Sequence, residues 1–465
     1  MWILPILPFA ILAPFLTTAV VGTEFIARDT GILRKFPFPS QDSFYSPPAK
    51  LETFVPGTVL RTRQINASFF GFVPRRVLAW QLLYRSNAVD GSAIAAVTTI
   101  FQPSQPKRDR FVSYQAAYNS ACPDCVPSFA WRLGSWPGRS PLDHLEPTIE
   151  FLRIQGYLLQ GYIVSSPDHA GPDGAFTVGR VSARCVLDGM RAATNFGRTQ
   201  GLFNTTPAIV GVGYSGGGIP TSWASTLQRQ YAPELPVKGW VFGGAPVNWT
   251  EVILTMDKSK LAGLVFTGIV GLLSPTAYQT QLGPLWEKIV TFEGRQMFRY
   301  VRSHCLENVA IKYRHDSMLT NKYQTLGPDF LTHPISQKVL TDNFLGFKSD
   351  EIPIAPVLLW HGTKDQMVPV SQASSLANSW CNRKVSVTFN TYNAEHMTAS
   401  MLGIPKAYRF VEKAFAGSVR VSCSNQNDRS DNLNFAALPA KLMPLLTNLT
   451  TYLEPARRWD RAHPR

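Results

Sequence analysis

Three residues whose side chains can cooperate in acyl transfer are widely spaced in this sequence: Ser215, Asp365 and His396. Ser215 lies in Gly213-Tyr-Ser-Gly-Gly217, directly after the apolar run Pro207-Ala-Ile-Val210. A short buried strand followed by small residues fits G-x-S-x-G, the sharp turn that exposes a nucleophilic serine above a sheet. A serine on so tight a bend leaves no room for nearby Cβ atoms, which explains the glycines around it. The alternative is a glycine-rich turn that only packs a helix close to a sheet.

The downstream sequence favours the nucleophile over the plain turn. Pro356-Val-Leu-Leu-Trp360 has the composition of a buried strand and leads to Asp365, and Lys384–Phe389 alternates as a strand before His396. An acid and a histidine on the loops after two late strands would lie at the same edge of the sheet as Ser215. The chain order Ser, Asp, His is also the one that α/β-hydrolases use.

These three residue types supply complementary chemistry. A serine hydroxyl is a poor nucleophile until an imidazole takes its proton, and a carboxylate fixes the imidazole's tautomer and stabilises the imidazolium. We therefore predict Ser215 as nucleophile, His396 as general base and Asp365 as orienting acid. The backbone N–H of Gly216 is placed to stabilise an oxyanion.

Three other residues are candidates for roles at or beside this site. Glu395 is an acid beside His396, but adjacent residues rarely orient each other's rings. His361 could replace His396, although it precedes Asp365 and would reverse the expected order. His169, in Pro167-Asp-His-Ala-Gly171, is a better candidate for a residue beside the site than for a base.

The combination of these motifs with others resembles the fungal secretory lipase family, the lipase A type. The resemblance covers roughly residues 40 to 425, and the combination is specific although each piece alone is not. The stretches that carry it are Ser113-Tyr-Gln-Ala-Ala-Tyr-Asn-Ser120, Asp124-Cys-Val-Pro-Ser128, Pro167-Asp-His-Ala-Gly-Pro172, Gly213-Tyr-Ser-Gly-Gly-Gly218, His361-Gly-Thr-Lys-Asp365 and Glu395-His396.

The resemblance implies an α/β-hydrolase fold, with a mixed, mostly parallel sheet, helices on both faces and an inserted helical cap. It implies hydrolysis of acylglycerols without a metal or an organic cofactor. The family usually has Tyr-Asp-Ser where this chain has Tyr118-Asn119-Ser120, and that Asp belongs to the oxyanion hole. The backbone N–H survives the change to Asn119, and an amide donates without needing protonation. We expect retained activity with a shifted pH dependence.

The first 22 residues are almost wholly apolar and end in small residues, which is typical of a signal peptide. A signal-anchor helix is the alternative, because the segment is nearly long enough to span a bilayer. No other stretch is suited to a span, so we expect a secreted, extracellular chain with no integral membrane span once processed. N-glycosylation sequons begin at Asn66, Asn204, Asn248 and Asn448.

The chain of 465 residues carries a formal net charge of +14. Its basic residues are scattered and no aromatic-basic motif accompanies them, so we expect no nucleic acid partner. A basic surface on an exported hydrolase aids adsorption to anionic lipid or wall polymers, or is simply solvated. We expect a lipid or ester substrate at a lipid–water interface and a monomeric protein.

The six cysteines of an exported chain favour disulfides. Sequence alone leaves the connectivity open. The family resemblance suggests Cys125 with Cys305 and Cys381 with Cys423, which leaves Cys122 and Cys185 as candidates for a third pair.

The predicted organisation is a signal peptide (1–22), an α/β-hydrolase core in two parts (23–246 and 348–425), a helical cap or lid (247–347) and a C-terminal flap or tail (426–465). Strands are expected at Val77–Tyr84, Ala93–Phe101, Phe111–Gln115, Tyr162–Ser165, Ala208–Gly213 and Gly239–Phe242, after a Pro-rich arm over 23–60. Val181–Phe196 is a predicted helix. Leu261–Leu273 is either part of a cap whose apolar underside accepts an acyl chain or a buried helix of the main core.

The leading functional hypothesis is a secreted serine lipase or carboxylesterase. An acyltransferase would use the same site with an alcohol in place of water. A non-catalytic lipid-binding protein that keeps the hydrolase fold is the alternative from a different class.

Overall fold

The computed structural model describes residues 36–428, which form one ten-stranded sheet flanked by helices. The strands are β1 Val59–Phe69, β2 Val73–Asn87, β3 Ala93–Gln102, β4 Arg110–Gln115, β5 Ile163–Pro167, β6 Ala208–Tyr214, β7 Val237–Gly243, β8 Val357–Gly362, β9 Val387–Tyr392 and β10 Ser424–Asp428. The helices are α1 Pro127–Ala130, α2 Leu145–Leu159, α3 Gly179–Thr199, α4 Gly218–Tyr231, α5 Trp249–Met256, α6 Ala262–Leu272, α7 Gln279–Ile289, α8 Phe292–Ser303, α9 Leu306–Lys312, α10 Pro334–Asp342, α11 Val370–Asn382 and α12 His396–Phe415.

The sheet is antiparallel at one end and parallel over the rest. Its order is β1-β2-β3-β5-β4-β6-β7-β8-β9-β10. β2 pairs antiparallel with β1 and β3, and β3 pairs antiparallel with β5. Every pairing from β5 to β10 is parallel. The predicted mixed, mostly parallel sheet is therefore confirmed.

The central strands β4, β5, β6 and β8 are buried along almost their whole length because helices cover both faces of the sheet. In β6, Ile209 belongs to the apolar cluster that includes α3 and α4. Val210 and Val212 belong to the opposite cluster, with α2 and α12. Alternation of this kind places the two clusters on opposite faces, and the carboxyl ends of the parallel strands meet at one edge.

The predicted strands are all present, with ends that differ by a few residues. The predicted helix Val181–Phe196 lies inside α3, which is longer at both ends. β1 begins at Val59, so the predicted arm over 23–60 runs into an edge strand that the sequence analysis did not identify. β10 was also missed, because Ser-Asn-Gln-Asn-Asp is polar and lacks β-branched residues.

Helices α5 to α10 lie between β7 and β8, where the cap was predicted. The predicted apolar helix is α6, and each of its residues is buried. A Cβ added to Gly263 would lie 2.6 Å from the Ala310 Cα of α9, and one on Gly271 would lie 2.2 Å from the Phe176 carbonyl oxygen. α6 also shares an apolar cluster with α3 and α4. The inserted helices are therefore continuous with the main core rather than detached from it.

The described part of the predicted arm packs against the core. The Ser40 backbone N–H donates to Asp124 Oδ1 at 2.8 Å, and the Tyr45 hydroxyl lies 2.9 Å from Ser128 Oγ. The predicted boundary at residue 425 falls inside β10. The signal peptide, the rest of the arm and tail residues 429–465 lie outside the described residues. Within 36–428, none of the helices combines the length and apolar character that crossing a membrane requires.

Two disulfides are present, joining Cys125 to Cys305 and Cys381 to Cys423. The first ties the loop after β4 to the residue before α9. The suggested third pair is wrong: Cys122 and Cys185 are separate, buried free thiols. Cys122 packs beside the Cys125–Cys305 disulfide, whereas Cys185 lies inside α3.

Two of the predicted glycosylation sites, Asn66 and Asn204, are exposed. Asn248 is half-buried, and its side-chain oxygen accepts from Thr250 N at the start of α5. Asn448 lies outside the described residues. Glycosylation at all four sites stays a prediction.

Candidate active site

Ser215 occupies a strained turn between β6 and α4. Its φ of +53° lies in the left-handed region that non-glycine residues rarely adopt. A Cβ added to Gly213 would lie 2.1 Å from the carbonyl oxygen of Gly217, and one on Gly217 would lie 2.0 Å from the carbonyl oxygen of Gln115. The turn therefore requires glycine at both positions, as the sequence analysis predicted from steric reasoning.

The structure brings the three distant residues into one hydrogen-bonded chain. Ser215 Oγ lies 2.7 Å from His396 Nε2, and His396 Nδ1 lies 2.6 Å from Asp365 Oδ2. The His396 backbone is fixed on both sides, since its N–H donates to Gln366 Oε1 at 3.1 Å and its carbonyl accepts from Tyr214 Oη at 2.7 Å. This arrangement can move a proton from the hydroxyl to the imidazole.

His396 differs from the prediction in its secondary structure. It was expected on a loop after the last strand, but it is the first residue of α12 and is 1% exposed. The strand before it is also not the last one, because β10 extends the sheet beyond β9. A helix start fixes the backbone of His396 more firmly than a loop would.

Asp365 is held as a carboxylate by several donors. Its Oδ1 accepts from the backbone N–H groups of Met367 and Val368, each at 2.9 Å. Burial of the carboxyl opposes ionisation, but hydrogen bonds from His361 and His396 outweigh it and hold the pKa of Asp365 well below its usual range. Asp365 is therefore ionised near neutral pH, which suits an acid that orients a histidine.

The competing residues take other places. Glu395 is exposed, and the Nδ1 atom that it would have to orient is bonded to Asp365. His361 is the fifth residue of β8 and is fully buried, with Nε2 2.9 Å from the Val368 carbonyl oxygen.

His169 lies beside the predicted oxyanion segment. Its ring centroid is 4.6 Å from that of Tyr118, and its Nε2 is 2.9 Å from the Ala116 carbonyl oxygen. Burial lowers the pKa of His169 to about 4, so it is neutral near pH 7.

Asn119 and Gly216 line the same pocket as Ser215. The Asn119 backbone N–H, however, already has an acceptor, Glu146 Oε2 at 3.0 Å. The Asn119 Nδ2 atom donates to the other oxygen of Glu146. Glu146 could not be identified from the sequence, because no local pattern links it to a residue 27 positions earlier.

The pocket beyond Ser215 is apolar and is lined by the inserted helices. Trp249, Val252 and Met256 of α5 and Leu264 of α6 contribute its wall. A second pocket shares Trp249, Met256 and Leu264 and continues to Ile269. The two pockets therefore lie side by side, with residues of α5 and α6 as their common lining.

Comparisons with known proteins identify relatives of this chain. The family described as Secretory lipase matches residues 138–423. A secreted triacylglycerol lipase of Malassezia furfur is 34% identical over 382 residues, which cover 81% of this chain and 76% of the relative. One of Malassezia globosa is 30% identical over 94% of each chain.

Two solved structures extend the comparison. Candida antarctica lipase A aligns with a TM-score of 0.78 and 25% identity, over 88% of this chain and 95% of that one. The rice cell wall degrading esterase LipA from Xanthomonas oryzae aligns with a TM-score of 0.55 and 16% identity, over 79% of this chain and 97% of that one. At that identity the esterase supports the fold alone.

Proposed function

Since the chain belongs to the secretory lipase family, we propose that it is a secreted serine lipase that hydrolyses acylglycerol esters through an acyl-enzyme on Ser215. The observation that carries the proposal is the continuous hydrogen-bonded chain from Ser215 through His396 to Asp365. Chains of this geometry activate a hydroxyl that is otherwise a weak nucleophile.

Each residue has one role in the proposed reaction. His396 takes the proton of Ser215 as its Oγ attacks the ester carbonyl, and then gives that proton to the departing alcohol. Asp365 holds the imidazole and stabilises its charged form. A water molecule, deprotonated by His396, then attacks the acyl carbon. The bond to Ser215 Oγ breaks, His396 returns the proton to Oγ, and the fatty acid leaves.

The oxyanion that forms in both steps needs donors close to Ser215. Gly216 follows the nucleophile, and its backbone N–H supplies one donor in the proposed site. Asn119 is the proposed source of the second donor. In this structure both its backbone N–H and its Nδ2 donate to Glu146, so one of these donors must be redirected to reach the oxyanion. Donors of this kind are worth about 10²–10³ in kcat each.

We propose that the helices over 247–347 form a cap that binds the acyl chain. The support is that the apolar pocket at Ser215 and the pocket next to it share lining residues of α5 and α6, and together they form the proposed acyl path. Burying an acyl chain there gains about 0.8 kcal/mol for each CH₂ group. A path of this kind favours long acyl chains over short ones.

Secretion follows from the proposed removal of residues 1–22 as a signal peptide and from the secreted relatives. We further propose that the exported protein is a glycosylated monomer that adsorbs to lipid surfaces. Peptide mapping of the purified secreted protein tests the new N-terminus and the four sequons, and light scattering coupled to gel filtration tests the monomer.

The functional proposal is tested by comparing p-nitrophenyl esters from C2 to C18 with triolein, using wild-type protein and Ser215→Ala. We expect turnover of both classes by the wild type and a loss of about 10⁴-fold or more in kcat for the variant. Ester turnover without triolein turnover would indicate an esterase, and a dominant transfer product in added alcohol would indicate an acyltransferase. Equal activity of the two proteins would contradict the proposal.

A further inference from the structure

Glu146 accepts hydrogen bonds from both donor groups of Asn119, the backbone N–H and the side-chain amide. Its Oε2 accepts from the Asn119 backbone N–H at 3.0 Å, and its Oε1 accepts from Asn119 Nδ2. Glu146 is the second residue of α2, so it is held by a helix rather than by a loop. This pairing fixes the direction of the Asn119 amide plane.

The other end of that amide faces the nucleophile turn. A Cβ built on Gly216 would lie 2.0 Å from Asn119 Oδ1, so this oxygen lies directly against Gly216. Oδ1 is an acceptor and cannot stabilise an oxyanion. In this arrangement Asn119 presents the wrong end of its amide to the site where the oxyanion would form.

An inserted helix reaches the same carboxyl. Glu307, the second residue of α9, accepts from the Glu146 backbone N–H through Oε1 at 3.2 Å. α9 begins directly after Cys305, which is disulfide-bonded to the loop that follows Asn119. Asn308 donates to Asp143 Oδ1 at 3.1 Å beside it. The cap is therefore anchored at the place where Glu146 holds Asn119.

We propose that the protonation state of Glu146 sets which end of the Asn119 amide faces Gly216, so that Glu146 is a positioning residue for the reaction. This inference rests on the proposed function, since it assigns Asn119 to the oxyanion site. It adds a pH-dependent control that lies outside the Ser215–His396–Asp365 chain.

The two protonation states of Glu146 require opposite orientations of the amide. An ionised carboxylate only accepts, so it binds Nδ2 and leaves Oδ1 facing Gly216. A neutral carboxyl keeps its carbonyl oxygen on the Asn119 backbone N–H and donates its O–H to Oδ1. A half-turn of the amide about χ2 satisfies this second arrangement and directs Nδ2 toward Gly216, where it can donate to an oxyanion.

The surroundings of Glu146 favour the neutral form. Burial, followed by the nearby charge of Glu307, raises the pKa of Glu146 above its usual range, although the donors on Asn119 oppose the shift. Burial also raises the pKa of Glu307, with Asp143 contributing. The charged and titratable groups around this pair are Glu150, which is bound to Tyr114 and Arg153, and Asp143, which interacts with Arg139 and His304. A carboxyl with a raised pKa is neutral below that pKa, so the productive orientation is lost as the pH rises through it.

The test is the pH profile of kcat on a short p-nitrophenyl ester for wild type and Glu146→Gln. A glutamine at this position can donate to Oδ1 and accept from the backbone N–H, so it imitates the neutral carboxyl at every pH. We expect the wild type to lose kcat on the alkaline side. Glu146→Gln should keep kcat within about threefold at neutral pH and should not show that loss, because amides do not titrate in this range.

Two further variants separate positioning from general damage. Glu146→Ala removes the support altogether and should lower kcat about tenfold with little change in KM, because one oxyanion donor becomes disordered. Glu307→Gln removes the like charge and should move the alkaline loss to lower pH. Glu287→Gln is the matched control, since Glu287 is exposed in the same inserted region and pairs only with Arg295 in the described part of the chain. Its profile should match that of the wild type.

These experiments distinguish a failure of the role proposed for Glu146 from a failure of the proposed lipase function. If the wild type turns over esters but Glu146→Gln keeps the same alkaline loss, the role of Glu146 is wrong and the lipase proposal stands. A wild-type profile with no alkaline loss also overturns it. If wild type and every variant turn over no ester, both proposals fail.

Discussion

Nε2 of His361 lies 3.1 Å from Asp365 Oδ2, the oxygen that also binds His396 at 2.6 Å. The second neighbour of Nε2 is the Val368 carbonyl oxygen at 2.9 Å. Because both neighbours are acceptors, this nitrogen carries a proton and shares it between them. His361, a residue of β8, thus helps to hold the carboxylate that orients His396.

The first prediction concerns this contact. His361→Phe keeps a ring in the buried space but removes the donor to Asp365, so we expect kcat to fall about tenfold while KM changes little. Asp365→Asn should cost more, about 10³–10⁴ in kcat, because the amide no longer selects the required imidazole tautomer. Initial rates on p-nitrophenyl butyrate measure both effects.

A matched control is available for the loss of a buried imidazole. His144 is 1% exposed and packs against Trp136, with ring centroids 5.5 Å apart. His144→Phe should change stability without a specific loss of kcat in the folded fraction. An equal loss of kcat in both His variants would mean that His361 acts only through packing.

The second prediction concerns the acyl path. Ile269 is 2% exposed and lines its deeper part, so Ile269→Phe narrows it. We expect turnover of C16 esters to fall at least tenfold, whereas C2 and C4 esters should change by less than about twofold, since short chains do not reach that depth. The ratio of kcat/KM for C16 to that for C4 is the readout.

Ile311→Phe is the control for that substitution, because Ile311 is 66% exposed on α9. It should leave the ratio unchanged. Equal losses for long and short esters in Ile269→Phe, in a protein with an unchanged melting temperature, would exclude an acyl-binding role for the inserted helices.

The third prediction concerns the cysteines. Cys122 and Cys185 are buried as free thiols, and burial raises the pKa of Cys122 to about 11 and that of Cys185 to about 12. Both thiols should be unreactive in the folded protein, because the thiolate is the reactive form. In denaturant without reductant, alkylation followed by mass spectrometry should label these two positions and no other cysteine. Absence of label at both would indicate the third disulfide.

The parts of the site that the sequence indicates are those that local sterics or strand order determine. The nucleophile turn was readable because Gly213 and Gly217 are demanded by local sterics that the sequence displays directly. The acid and base were placed by strand order, which does not depend on exact element ends. Asn119 was placed by the resemblance, but its contact with Glu146 was invisible because it depends on how α2 docks.

The features that were missed or predicted wrongly, β10 and the pairing of Cys122 with Cys185, depend on contacts that the sequence does not display. β10 pairs with β9 through backbone groups, so the pairing does not require apolar side chains. The polar sequence of β10 therefore did not indicate a strand. Cys122 and Cys185 were paired by elimination, which assumes that every cysteine is bonded. Their positions, one in the loop beside a disulfide and one inside α3, depend on tertiary structure.

The fourth prediction concerns stability against pH. Burial raises the pKa of Asp168 to about 7, although hydrogen bonds from Ser128 oppose the shift. The folded state therefore binds a proton that the unfolded chain has released above its ordinary pKa, so this group costs stability as the pH rises from about 4 to about 7. The full effect is about 4 kcal/mol.

Asp168→Asn removes that proton linkage and should flatten the dependence. We expect the free energy of unfolding of the wild type to fall more steeply than that of the variant between pH 5 and pH 8, measured by urea denaturation. An amide still accepts from the Ser128 backbone N–H, which limits other damage. Parallel curves for the two proteins would mean that Asp168 is ionised in the folded state across this range.

The most direct test of the central claim is covalent labelling of Ser215. A fluorophosphonate reacts with a serine hydroxyl only when a base activates it, so peptide mass spectrometry should find the label on Ser215 of the folded wild-type protein. His396→Ala should label at least 10³-fold more slowly, since its base is gone. Label on a different serine, or equal labelling rates in the two proteins, would contradict the assignment of Ser215 and His396.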